Sequence, residues 1–202
     1  MSSTQKTARW MITPNLGLDG LQDEVDVPVP QLTGRQCLVR INAVSLNYRD
    51  IAMATGRYPL PTSKSFVPGL HAVHKDHQDG IITPEIRQST LGSQRYGVLQ
   101  KLAVFEETGL VALPKNLSYI EGACLSCAAV TAWNCLFGLE SRALRSGELV
   151  LTQGTGGVSL FAIQFALAVG AVVIATTSSR DKELRLEALG VQHVINYKSN
   201  PD

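Results

Sequence analysis

Residues 149–179 read LVLTQGTGGVSLFAIQFALAVGAVVIATTSS, and the chemistry they could do is to hold a diphosphate. A strand-like apolar run ends at Thr152, a glycine turn follows, and a long apolar run starts at Val158. Gly154 permits a tight turn, and Gly156 and Gly157 would let a pyrophosphate approach the main chain with no side chain between. The amides that open the following helix lie at the positive end of its dipole and supply donors to phosphate oxygens. The glycine spacing is imperfect, because Ser159 stands where the last glycine of G-x-G-x-x-G would be. The strand before it, the helix after it and a second strand ending at Thr176 and Thr177 give the context such a site needs. A tight turn without ligand is the plainer alternative.

The end of that second strand discriminates between nucleotides. A carboxylate there would hold the ribose hydroxyls of NAD, yet the sequence runs TTSSRDK, with no acid before Asp181. Hydroxyls of Ser178 and Ser179, with Lys182 or Arg180, could receive a 2′-phosphate that a carboxylate would repel. NADP(H) is therefore favoured over NAD(H). Ser179 reads equally as a helix N-cap, and Lys182 as a solvated surface charge.

Two other clusters invite a metal reading. Cys124 and Cys127, in CLSC, have the spacing of half a zinc knuckle, without a second pair to complete a tetrahedral site. They lie in EGACLSCAAVTAWNCLFGL, which reads as a buried helix where cysteine acts as a small hydrophobe. In HAVHKDH, His71, His74 and His77 recur at steps of three beside Asp76 and Asp79. That spacing would gather them on a helix, but the segment between VPG and QDG reads as a polar loop, so no metal is expected. Disulfides among Cys37, Cys124, Cys127 and Cys135 are not expected in a reducing compartment.

These residues need elements to position them. The 202 residues, 45% hydrophobic and 17% charged, suit a globular chain of one large or two modest domains. A net charge of +1 with no basic cluster argues against nucleic acid or an anionic membrane as partner. The long apolar segment Val158 to Ala175 is interrupted by Gln164 and Gly170, too broken for a membrane span. MSSTQKTARW has no apolar signal core, so a cytoplasmic location is expected. The first part reads as strand CLVRINAVSL, short helix NYRDIAMATG closed by Gly56, loop RYPLPTSKSFVPG, and extended VLQKLAVF and GLVAL about the turn EETG. From Leu117 the texture changes. Ser118 and Glu121 have capping-box spacing, and after the cysteine-containing helix strand and helix alternate strictly. That alternation predicts parallel strands joined by crossover helices, an α/β fold with a boundary near Leu117.

The motifs SLNYRD, EGACLSCAAVTAWNCL, QGTGGVSLFAIQFA and TTSSRDKELRLEALGVQHVINY, in this order, resemble the medium-chain dehydrogenase/reductase superfamily. The resemblance is to its zinc-type alcohol dehydrogenase-like or quinone oxidoreductase-like branch that lacks the metal. It implies a GroES-like substrate lobe at 1–117 and a Rossmann lobe at 118–202, with hydride passing in the cleft between such lobes. By this resemblance Gly154, Thr155, Gly156, Gly157 and Val158 form the pyrophosphate turn. Ser178, Ser179, Lys182 and Tyr197 surround the adenosine 2′-phosphate, and Asn47 and Thr131 lie near the nicotinamide. Metal-dependent relatives carry a cysteine near the position of Asn47 and a Gly-His-Glu further on, and neither is in this sequence.

The implied activity is thus zinc-independent hydride transfer to or from an activated alkene, quinone, aldehyde or ketone. Asn47 or Tyr48 would donate to the developing oxyanion. Tyr48 reads equally as a packed aromatic at a strand end. The resemblance also implies a shortened chain. Relatives follow FVPG with a Gly-rich stretch and further strands, whereas strands at Leu149, Ala171 and His193 make only the first βαβαβ half. A strand at Leu149 without its neighbour would present an unpaired edge, suited to a homodimer or other edge-strand association. Impaired activity is the accompanying expectation, with a non-catalytic interaction protein as the alternative function.

Overall fold

A computed structural model describes residues 5–59, 64–69, 91–92 and 95–199. The chain divides into two compact units, Met1–Cys127 and Ala128–Asp202. The division falls inside a helical segment that begins at Tyr119, rather than ahead of it at Leu117.

The first unit is built from antiparallel pairs. Strands β1 (Lys6–Ile12) and β2 (Leu21–Pro28) form an N-terminal hairpin, with a register irregularity between Thr7 and Arg9. Strand β3 (Gln36–Arg40) pairs with β4 (Leu102–Glu106). The stretch before β4 knits the two pairs together, since Trp10 N donates to Leu99 O (3.0 Å) and Lys101 N to Ala8 O (2.9 Å). Helix α1 (Tyr48–Ala54) packs its Met53 and Ala54 against Ile12 and Phe66, and these four residues form a small buried core. Ile12 and Phe66 also exchange main-chain hydrogen bonds of 2.8 and 3.1 Å. Pro68–Gly69 crosses residues 97–99 at close range. Gly69 has φ +94°, and a Cβ there would strike Val98 Cγ2 at 2.8 Å, so no other residue fits this crossing without displacement.

Two sequence expectations change here. GLVAL is not a strand: Leu110 N closes a 3-10 turn on Glu107 O and Val111 is 95% exposed. Nothing pairs with it among the described residues. The hairpin β1–β2, in turn, was not anticipated from the sequence.

The helical segment comprises α2 (Tyr119–Ala123), a π-turn at Leu125–Ala129 and α3 (Val130–Phe137). Its capping box forms as the spacing predicts: Ser118 N donates to Glu121 Oε2 (2.8 Å) and Glu121 N to Ser118 Oγ (3.3 Å). The expectation of a buried helix is corrected. Only the small residues Ala123, Ala129 and Ala132 turn fully inward, while Ile120 and Trp133 are 75% and 55% exposed. Apolar composition made the whole stretch look like core, yet one narrow stripe of alanines is all that is covered. Tyr119–Phe137 is also long and apolar enough to cross a membrane by length and composition alone. Its α3 portion packs on a neighbouring helix, with the Trp133 ring 5.6 Å from that of Phe165.

The second unit carries the predicted alternation. Strands β5 (Leu149–Thr152), β6 (Val172–Thr177) and β7 (His193–Asn196) form a parallel sheet in that order, joined by α4 (Gly157–Ala168) and α5 (Arg180–Ala188). Side chains alternate across the sheet. Val150, Val173, Ala175 and Val194 face a core completed by Ile163 and Ala166 of α4 and Leu186 of α5. Leu149 and Leu151 point the other way and are 69% and 61% exposed, on a strand whose outer edge is unpaired among the described residues.

Candidate functional site

Each unit carries its own candidates. In the second, all but Thr131 lie at or just after the carboxyl ends of the three parallel strands, where ligands of open α/β sheets bind. Gly154 adopts φ +76°, a conformation costly for any side chain, and its N–H donates to Thr176 Oγ1 at 3.1 Å. That bond joins the turn after β5 to the end of β6. Thr155 is half-buried between the glycines. A Cβ on Gly154 or Gly156 would meet nothing within 4 Å, so the main chain there faces open space a ligand could enter. Gly157 is different: its Cβ would press on Ala128 Cβ at 3.3 Å. It therefore takes the close-packing role that the fingerprint gives to its third glycine. Ser159, in that third position, turns its hydroxyl back onto Gln153 O (3.0 Å) and closes the turn.

Helix α4 starts at Gly157 and its first bond to the turn runs from Leu160 N to Gly156 O (3.0 Å). The amides of Gly157, Val158 and Ser159 thus have no acceptor inside the helix, and they open onto the same space. The 12 residues of α4 add an aligned dipole behind them. The residues present fit a dinucleotide diphosphate.

Of the 2′-phosphate candidates, Tyr197 and Ser178 lie on neighbouring strand ends. Tyr197 N donates to Thr177 O (3.0 Å), which carries the β6–β7 ladder one residue further and brings Tyr197 beside Ser178. Tyr197 is 51% exposed. Ser179 occupies the N-cap position of α5, yet its hydroxyl makes no cap bond; its N–H is engaged with Thr177 Oγ1 (3.4 Å) and its carbonyl accepts Glu183 N (3.0 Å). Of the two cations open at the sequence level, Arg180 is committed to Glu183 at 2.7 Å, and the hydrogen bond and charge of that carboxylate hold the guanidinium pKa above its ordinary value. Lys182 is exposed and forms no ion pair among the described residues. Thr131 is exposed, at the second residue of α3.

In the first unit, Asn47 and Tyr48 sit at the start of α1. Asn47 gives one carboxamide N–H to Ser45 O (3.2 Å), which leaves the second available. Tyr48 is 73% exposed at the first helical position, so it is not the packed aromatic that a strand end would make it. Asp50 was passed over in the sequence reading, although the Asn-x-x-Asp spacing of NYRD is a capping signal. Its carboxylate closes onto Asn47 N at 2.8 Å. Cys127 lies close enough to feel both Asp50 and Arg49. Burial, reinforced by the Asp50 charge and opposed by Arg49, pushes its thiol above the ordinary cysteine range. No group of three or more metal-capable side chains occurs among the described residues, and His71, His74 and His77 lie outside them.

Comparison with known proteins places this arrangement. No protein-family model matches the chain. It is 44% identical over 209 residues to the zinc-type alcohol dehydrogenase-like protein C1773.06c of Schizosaccharomyces pombe, covering 92% of this chain and 60% of that protein. It is 29% identical to the chloroplastic NADPH-dependent alkenal/one oxidoreductase of Arabidopsis thaliana, covering 93% of this chain and 52% of that one. A solved structure from Sinorhizobium meliloti 1021, assigned as an alcohol dehydrogenase, superimposes with a TM-score of 0.81 at 35% identity, covering 98% of this chain and 64% of its own. The chain therefore spans between half and two thirds of the length of the relatives it matches. With its β-rich GroES-like unit and its parallel Rossmann-type βαβαβ unit, the chain is similar along nearly its whole length to alcohol dehydrogenase-like and quinone oxidoreductase-like members of the medium-chain dehydrogenase/reductase superfamily.

Proposed function

We propose that this protein is a zinc-independent, NADP(H)-dependent oxidoreductase that moves a hydride to or from an activated alkene, a quinone, or a small aldehyde or ketone. The observation that carries the reading is the convergence at one sheet end of an open glycine turn with Ser178 and Tyr197. The name of the Arabidopsis relative, an NADPH-dependent alkenal/one oxidoreductase, supports both the cofactor and the substrate class. Zinc independence rests on the sequence, where Asn47 stands near the position at which metal-dependent relatives carry a cysteine.

When bound, the cofactor supplies a hydride from its nicotinamide ring. The chain's own residues hold and steady the reactants. Gly154, Thr155, Gly156, Gly157 and Val158 take the pyrophosphate through main-chain N–H groups, and Thr131 lies on the nicotinamide side. Ser178, Ser179, Lys182 and Tyr197 take the 2′-phosphate. As an electrophilic carbon accepts hydride, negative charge gathers on the substrate oxygen. The uncommitted carboxamide N–H of Asn47 or the exposed Tyr48 hydroxyl donates to it, and a solvent proton completes the reduction. This reading puts the protein in the cytoplasm with a small-molecule substrate as its partner.

Titration of NADPH and NADH, followed by cofactor fluorescence, tests the cofactor assignment. Preferred binding of NADPH, weakened by Tyr197→Ala, is expected. Oxidation of NADPH in the presence of an alkenal, in metal-chelated buffer, tests the reaction. The exposed Leu149 and Leu151 on the free edge of β5 favour one other reading, a non-catalytic protein that associates through this strand with a second copy. Absence of any binding at millimolar NADPH would select it.

A further inference from the structure

Asp50 is 5% exposed, and its two carboxylate oxygens reach different parts of the first unit. Oδ2 accepts the main-chain N–H of Asn47 at 2.8 Å, and Oδ1 accepts the main-chain N–H of Gly69 at 3.0 Å, in a buried bond. Among the described residues Asp50 has no ion-pair partner, and Cys127 lies close enough to feel both its charge and that of Arg49. A buried carboxylate without hydrogen bonds is strongly unfavourable, and charge-assisted bonds to main-chain donors are what offset that burial. Here both donors are amides that must be held in place for other reasons. Gly69 is pinned on its far side, where its carbonyl accepts Val98 N (3.2 Å) and that of Pro68 accepts Leu99 N (3.0 Å). Asn47 is pinned by its own carboxamide bond to Ser45 O.

We infer that Asp50 is a positioning residue that locks the Asn47 main chain to the Gly69 crossing and so fixes the orientation of the Asn47 carboxamide. A simple helix cap would need only one oxygen and would leave the other in water. This carboxylate instead ties the main chain of Asn47 to that of Gly69, 19 residues beyond Asp50 itself, from a buried position. Neither Asn nor Ala can replace it: an asparagine offers one acceptor oxygen and sets an NH2 group against the second N–H, and an alanine offers none.

The inference rests on the reading of Asn47 as an oxyanion donor, and two measurements separate the two claims. The first is amide hydrogen exchange on the whole chain. Asp50→Asn and Asp50→Ala are expected to remove protection from Asn47 and Gly69 together, while Ile12, bonded to Phe66 in the core, stays protected. Loss at only one of the two amides, or at neither, would overturn the bridge. Loss at Ile12 in both variants as well would assign Asp50 to global stability and overturn a positioning role. The second is turnover of NADPH with an alkenal. Asp50→Asn is expected to lower kcat at least tenfold with the NADPH Kd within twofold. An unchanged kcat, or equal losses in kcat and cofactor affinity, would overturn the positioning role in catalysis. If the unsubstituted chain turns nothing over while the exchange result holds, the proposed oxidoreductase activity fails for this chain and the bridge stands.

Discussion

Replacing Lys182 with alanine should separate the two nicotinamide cofactors. Lys182 stands in the first turn of α5, exposed and without an ion pair among the described residues, whereas Arg180 is held by Glu183 at 2.7 Å. On the proposed reading the ammonium of Lys182 is a positive charge available to a 2′-phosphate at the end of β6. Two unit charges 4 Å apart in water attract by about 1 kcal/mol, and a phosphate near two negative charges raises this to about 2 kcal/mol. Screening at physiological salt trims an exposed contact, so roughly 1–2 kcal/mol remains. That corresponds to a roughly 5- to 30-fold weaker Kd for NADPH. NADH lacks the 2′-phosphate and should bind within twofold of its original affinity. Fluorescence titrations of both cofactors, at low and high salt, read the effect directly, and the difference should shrink as salt rises. Glu183→Gln provides the opposite perturbation, because it frees Arg180 and removes a nearby negative charge; NADPH should bind roughly two- to fivefold more tightly, the scale of a surface ion pair. Equal weakening of NADPH and NADH in Lys182→Ala would refute the placement of the phosphate, and so would no change in either.

Gly154→Ala should destabilise the chain by about 1–2 kcal/mol in urea unfolding, entirely through the φ +76° backbone, since its Cβ would meet nothing within 4 Å. Ser118→Ala should cost about 1 kcal/mol by removing the capping box of α2. Its partner Glu121 is held below the usual carboxylate range by the Ser118 hydrogen bonds. The cap's contribution is therefore full above the ordinary glutamate pKa and is lost as pH falls through the lowered one, so the Tm gap between wild type and Ser118→Ala should close in acid. Iodoacetamide at neutral pH should alkylate exposed Cys135 several-fold faster than Cys127, whose thiol burial holds protonated. Mass mapping of the modified sites checks this, and matching rates would contradict the burial. Leu151→Lys, placing a charge on the free β5 edge, should shift light-scattering mass toward monomer, and an unaltered mass would rule out association through this strand.

The second unit was legible in the sequence because one periodicity ran without interruption. LVLTQ, AVVIATT and HVINY each alternate or run apolar for the length of a strand, and glycine punctuation separates them from the helices. The order β5–β6–β7 then follows from right-handed crossovers. What sequence could not decide there was which cation stays free, since Arg180 and Lys182 differ only in whether Glu183 reaches them. The first unit was read less well. In the hairpin β1–β2 the burial of β2 never exceeds intermediate, so QDEVDVP carries little hydrophobic contrast, and in β1 the adjacent Met11 and Ile12 are both buried, which breaks the alternation that marks a strand. GLVAL had the contrast without a partner strand. Asp50 escaped notice because an acid three residues after an asparagine reads as an ordinary cap; its second bond, to Gly69, depends on a crossing that only the fold creates.

The distribution of the candidates has a consequence for how the function can fail. Every residue assigned to the diphosphate and the 2′-phosphate belongs to the unit Ala128–Asp202, and Asn47, Tyr48 and Asp50 belong to the unit Met1–Cys127. The bonds that shape the first group, Gly154 N to Thr176 Oγ1 and Tyr197 N to Thr177 O, lie wholly within the parallel sheet and its turns. Those that shape the second, from Asn47 N and Gly69 N to Asp50, lie wholly within the β-rich unit. Substitutions in separate bond networks with no shared partner usually act additively. Lys182→Ala and Asp50→Asn should therefore combine as independent losses, one in cofactor affinity and the other in turnover. A double variant whose NADPH affinity fell well beyond that of Lys182→Ala alone would mean that the carboxylate at position 50 also shapes the cofactor site, and the division of labour between the units would have to be abandoned.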